Sequence, residues 1–139
     1  MTINVKRVAL ILGIIYLIIG IAGFMPALIQ PPEAGEPALN IAALHGDLFG
    51  LFPVNVLHSL IHLAVGIWGV VAMRSHGASV LYARSLAVIF GVLTIMGLIP
   101  GLNTVYGLMP LYSHDLWLHA LTAIVAAYFG FYLRERAEV

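Results

Sequence analysis

From Val8 to Ile29 the chain runs without a single charged residue. A helix needs about 20 apolar residues to cross the roughly 30 Å of a bilayer's hydrocarbon core. Three further stretches have the same character, at about residues 54–73, 78–99 and 116–133, with Arg84 inside the first two turns of the 78–99 stretch. Only 9% of the 139 residues are charged and 62% are hydrophobic, against about 25% charged in a soluble domain. So few charges do not cover a water-facing surface. The expected fold is all-α: a four-helix transmembrane bundle forming a single domain over residues 1–139, with helices at about 8–29, 54–73, 78–99 and 116–133. The first segment follows Lys6 and Arg7, as a signal peptide would. It is longer than a signal core, and Gly23 to Gln30 offers no clear small-x-small cleavage site, so it is expected to be retained.

The positive charges set the orientation. Lys6, Arg7, Arg74, Arg84, Arg134 and Arg136 fall at the N-terminus, around the connection between helices 2 and 3, or at the C-terminus. The opposite connections, residues 30–48 and 101–114, carry no Lys or Arg. The positive-inside rule then places both termini in the cytoplasm. Arg84 is expected to snorkel to the inner interface. Tyr82 and Tyr132 are expected in the inner aromatic belt, and Tyr106, Tyr112 and Trp117 in the outer one. The long outer loop contains "ALNIAALHGDLF", which suits either a short helix lying on the membrane or an irregular connection. The formal net charge is zero and there is no cysteine. Nucleic acid is therefore not an expected partner, and disulfides and thiolate chemistry are excluded. The expected partner is the lipid bilayer, with a second copy or another membrane protein left open.

The chain also resembles itself. "FGLFPVNVLHSLIHLAVG" aligns without gaps on "YGLMPLYSHDLWLHALTA". Phe49 meets Tyr106, Gly50 meets Gly107, Pro53 meets Pro110, His58 meets Asp115 and His62 meets His119. Upstream, "GFMPAL" from Gly23 resembles "GLIPGL" from Gly97. The expectation is two helical hairpins in tandem, related by a pseudo-two-fold axis along the membrane normal.

The repeat gives meaning to the costliest residues. Positions i and i+4 share a helix face, so His58 with His62, and Asp115 with His119, each form a pair. Gly66, Gly69 and Met73 continue the first face; Ala123, Ala126 and Gly130 continue the second. Small residues allow close helix contact in a bilayer, which suggests that helices 2 and 4 pack through these faces. Pro53 and Pro110 suit a first helical turn, and Asn55 or Ser113 suits a cap. The cluster then lies one to two turns inside the outer end.

Three readings fit it. In one, Asp115 accepts hydrogen bonds from histidine and pins two helices together. In another, His58, His62, Asp115 and His119 hold zinc or copper, with Asn55 and Ser59 as supporting donors or acceptors, or His62 and His119 serve as haem axial ligands. In the third the cluster relays protons or senses pH. His45, His76 and His114 are expected at the surface. No phosphate loop, nucleophile elbow or HExxH is present, and Ser59 faces away from its neighbour His58 on a helix. A binding protein is expected rather than an enzyme.

The segments "GLFPVNVLHSLIHLAVGIWGV" and "HDLWLHALTAIVA", with Asn55, His58, His62, Asp115 and His119, resemble a family of small four-helix bacterial membrane proteins catalogued as a domain of unknown function. The resemblance covers nearly the whole chain. It implies a multi-pass protein of the bacterial plasma membrane and no particular activity. In architecture alone, the tandem hairpins are similar to small four-helix membrane proteins of the DoxX type.

Overall fold

The computed structural model describes residues 4–133. Four helices dominate: α1 (Val5–Ala22), α2 (Val56–Ala72), α3 (His76–Gly97) and α4 (Asp115–Ala127), which runs on into a π-helical turn at Tyr128–Tyr132. Three of these are long and apolar enough to cross a membrane: α1, α3, and α4 with its π turn. The fourth, α2, is apolar but shorter, at 17 residues. Side chains such as Ile18, Ile67, Val88, Ile95 and Ile124 point outward, each more than half exposed, as lipid-facing positions do.

Local chemistry sets the helix ends. Asn4 caps α1, its Oδ1 accepting the Arg7 N–H at 3.1 Å. Asn55 and Ser75 cap α2 and α3 in the same way. The first helix was expected to reach residue 29 but stops at Ala22. Pro26 lacks the amide hydrogen a helix needs, and Pro26–Leu28 forms a 3-10 turn instead. The prolines expected in first turns lie outside the helices. Pro53 is in a strand, Pro110 precedes α4 in non-helical chain, and Ser113 makes no side-chain cap.

The fold is not purely helical. Ile29–Gln30 (β1), Gly46–Leu48 (β2) and Phe52–Val54 (β3) form an antiparallel sheet in the order β1-β2-β3, pairing Ile29 with Leu48 and Asp47 with Pro53. It closes one end of the bundle, with Leu48 and Val54 buried against Ala22. No surface helix forms in "ALNIAALHGDLF". Its backbone is spent elsewhere: the Asn40 N–H donates to the Gly107 carbonyl at 2.7 Å, Leu44 is left-handed, and Gly46–Leu48 joins the sheet. The β2–β3 turn has consecutive left-handed residues, Phe49 (φ 56°) and Gly50 (φ 70°), closed by Leu51 N–H to Leu48 carbonyl. Tyr106 (φ 57°) and Gly107 (φ 82°) make the corresponding turn, closed by Leu108 N–H to Val105 carbonyl.

In the bundle α1 lies along α2, α3 lies along α4, and α1 crosses α3 at the centre. Tyr16, Tyr82, Leu86 and Phe90 fill that crossing, each at most 2% exposed. Tyr82 is thus a core residue and not part of an inner aromatic belt, whereas Tyr132 is exposed. The small-residue faces do not join α2 to α4 as expected. Gly66 and Gly69 lie against Gly13, Leu17 and Ala9 of α1, and Gly130 lies against Ala83 and Arg84 of α3. Each stripe closes its own hairpin, and α2 and α4 approach each other through their histidines.

Candidate metal centre

His58 and His62 project from successive turns of α2 and His119 from α4, with ring centroids 4.3 Å (His58–His62), 5.9 Å (His58–His119) and 6.3 Å (His62–His119) apart. One ligand nitrogen from each lies within 4.8 Å of the others, and all three residues are at most 2% exposed. Asp115, 1% exposed, opens α4 and brings Oδ2 to 3.7 Å from His58 Nδ1. The first-turn amides of α4 carry partial positive charge that favours a carboxylate there. The structure therefore brings together His58, His62, Asp115 and His119.

Within this cluster, hydrogen bonds are missing. Both ring nitrogens of His62 and His119, His58 Nδ1 and both Asp115 carboxyl oxygens are buried with no hydrogen-bond partner among the described residues. A buried polar atom left unpaired costs about 1–3 kcal/mol. Ser59, expected to support the cluster, has no hydrogen-bond partner for its Oγ among the described residues and packs against Gly23, which ends α1. Asn55, wholly buried, acts through the backbone. Its Oδ1 accepts the His58 N–H at 2.9 Å, and its Nδ2 donates to the carbonyls of Ile41 (2.9 Å) and Leu108 (2.7 Å). It fixes the start of α2 and ties together the α1–α2 and α3–α4 connections.

Two aromatic residues that sequence reasoning passed over close the sides. Tyr16 of α1 packs on His62 at 5.1 Å, and Phe90 of α3 packs on His119 at 5.0 Å. They bear the same sequence relation to each other as Gly23 does to Gly97, which is the signal that would have found them. The Tyr16 hydroxyl is held by Thr122 Oγ1 at 2.7 Å.

The remaining histidines stay outside. His76 is exposed at the start of α3. His114 Nδ1 accepts from Trp117 Nε1 at 2.9 Å. His45 lies 3.9 Å from Glu36, to which the Tyr112 hydroxyl donates at 3.1 Å. Around them Glu33, Glu36 and Asp47 line a polar cavity of about 180 Å³ at the sheet end. Burial, and then the neighbouring Glu36 and Glu33, raise the Asp47 pKa above its ordinary value; burial and Glu36 raise that of Tyr112.

No curated protein and no solved structure matches the chain. Residues 6–132, every element from α1 to the π turn included apart from the first residue of α1, match the family described as Domain of unknown function (DUF4383), and the chain belongs to that family.

Proposed function

We propose that this is a multi-pass membrane protein that binds one zinc or copper ion through His58, His62 and His119, with Asp115 beside them. The observation that carries the reading is three buried imidazoles with ligand nitrogens within 4.8 Å of one another, two of them with no partner on either nitrogen. A tetrahedral ion bound at about 2.0–2.1 Å needs its ligand atoms roughly 3.3 Å apart. Small side-chain rotations close that gap. Imidazole suits zinc and copper, and the ion supplies what the unpartnered atoms lack.

The alternatives fit less well. A purely structural knot needs Asp115 to accept hydrogen bonds, and its nearest histidine contact is 3.7 Å long. A haem needs a planar slot between His62 and His119. Those rings, with His58, are in mutual contact and walled by Tyr16 and Phe90. A proton relay is the outcome left if no ion binds.

The surrounding frame follows the same proposal. Four spans with both termini in the cytoplasm put the metal centre and the sheet on the outer side. Two tandem hairpins account for several matched features. The two left-handed turns correspond; Gly23 meets Ser59 as Gly97 meets Leu116; Tyr16 covers His62 as Phe90 covers His119. The resemblance to small bacterial proteins supports the plasma membrane as the location.

Elemental analysis of the protein purified in detergent tests the reading. Zinc or copper should co-purify in stoichiometric amount and be lost from His62→Ala and His119→Ala, but not from His76→Ala. No absorbance is expected in the haem Soret region. Wild-type protein that takes up neither ion, with the same variants only less stable to heat, overturns the proposal.

A further inference from the structure

At the opposite end of the bundle, Arg84 sits about 12 Å into α3 at roughly 1.5 Å per residue, among apolar neighbours. Its Nε donates to the Gly130 carbonyl at 2.8 Å, and its guanidinium carbon lies 4.9 Å from the Phe131 ring centre. Gly130 and Phe131 belong to the π-helical turn, a distortion that is rare and frequently found at functional sites. Gly130 also brings α4 close, since a Cβ there would stand 3.0 Å from the Arg84 backbone nitrogen. The arginine is thus pinned on one edge. Its two Nη groups have no hydrogen-bond partner among the described residues.

Beside the guanidinium runs an outward-facing groove of about 370 Å³, lined by Arg84, Ser85, Val88, Ile89 and Phe131. Among the described residues no counter-charge is nearby. The carboxylates of the described residues are Glu33, Glu36, Asp47 and Asp115, all at or near the sheet end. A guanidinium in hydrocarbon is costly without a partner. Its free fork matches a phosphate bidentately, and side chains on a helix lean toward its N-terminus, here the His76 end, where headgroups lie.

We propose that this groove binds an anionic phospholipid. The phosphodiester accepts from both Nη groups of Arg84 and from the Ser85 hydroxyl, and an acyl chain lies along Val88, Ile89 and Phe131. A zwitterionic headgroup brings its own cation; an anionic one neutralises the arginine. The inference requires a membrane location and is independent of the metal centre.

The test is lipid titration of the full chain in detergent, followed by native mass spectrometry. Phosphatidylglycerol is compared with phosphatidylcholine of the same acyl chains, and inorganic phosphate forms a third arm. Phosphatidylglycerol should bind at least about tenfold more tightly than phosphatidylcholine. Arg84→Gln should remove that preference, and Arg84→Lys, which lacks the fork, should keep only part of it. Val88→Trp retains the arginine and fills the groove from an exposed position, so it too should weaken phosphatidylglycerol binding. It decides the question if Arg84→Gln does not fold. Equal binding of the two lipids, or unchanged phosphatidylglycerol binding in Val88→Trp, overturns the proposal. So does displacement of phosphatidylglycerol by millimolar inorganic phosphate, which marks a free-phosphate site.

Discussion

At the scale of single residues, the sheet end concentrates acid where the chain buries it. Asp47 is 7% exposed, and burial together with Glu36 and Glu33 holds its pKa above the ordinary 3.8. The folded state therefore keeps the Asp47 proton more tightly than the unfolded chain does. Its contribution to stability is complete below about pH 3.8 and is lost as pH rises through the elevated folded-state value. Asp47→Asn removes this loss. The variant should be more stable than wild type at pH 7, and the difference should vanish toward pH 3.5; thermal melts in detergent across that range check it. A wild-type advantage at neutral pH would instead mean that the carboxylate has a cationic partner. The histidine cluster poses the converse problem, because its polar atoms are buried without neighbours to satisfy them.

At the scale of elements, close backbone contact holds each hairpin together. A Cβ on Gly66 would stand 2.6 Å from the Leu17 nitrogen and 2.8 Å from the Gly13 oxygen, both backbone atoms that cannot swing aside. Gly66→Ala should therefore push α1 from α2 and cost about 1–3 kcal/mol. That appears as a melting point lower by several degrees. Gly91, where an added Cβ meets nothing within 4 Å, is the control. Gly91→Ala should be neutral or slightly stabilising, because alanine is the better helix former. Hydropathy and the i, i+4 rule made the helices and the shared face of His58 and His62 legible in the sequence. The partner of that face was not legible. The glycine stripe reads the same whether it meets α1 or α4, and the structure assigns it to α1. The sheet was hidden because two- and three-residue strands carry no alternation to detect. Its pairing depends instead on left-handed backbone at Phe49 and Gly50. Asn55 was legible as a cap, but its two remote carbonyl partners depend on tertiary placement.

At the scale of the whole molecule, charge and chemistry are sorted by end. Lys6, Arg7 and Arg74 lie at the helix ends away from the sheet, whereas Glu33, Glu36 and Asp47 lie at or beside it; Arg134 and Arg136 lie outside the described residues. A fluorescent protein fused after Val139 should accordingly fold and glow, and alkaline phosphatase at the same point should be inactive. The reverse pattern would invert the orientation and place the histidine cluster on the cytoplasmic side. The sheet end also has a mechanical consequence. Asn55 grips Ile41 in the α1–α2 connection and Leu108 in the α3–α4 connection while anchoring the amide of His58. These segments are far apart in sequence, yet one side chain makes them a single latch. With the Asn40 N–H bond to the Gly107 carbonyl, the Asn55 amide makes the two connections one cover over the histidines, so Asn55→Ala should loosen both together and leave the Ile41 and Leu108 carbonyls unpaired.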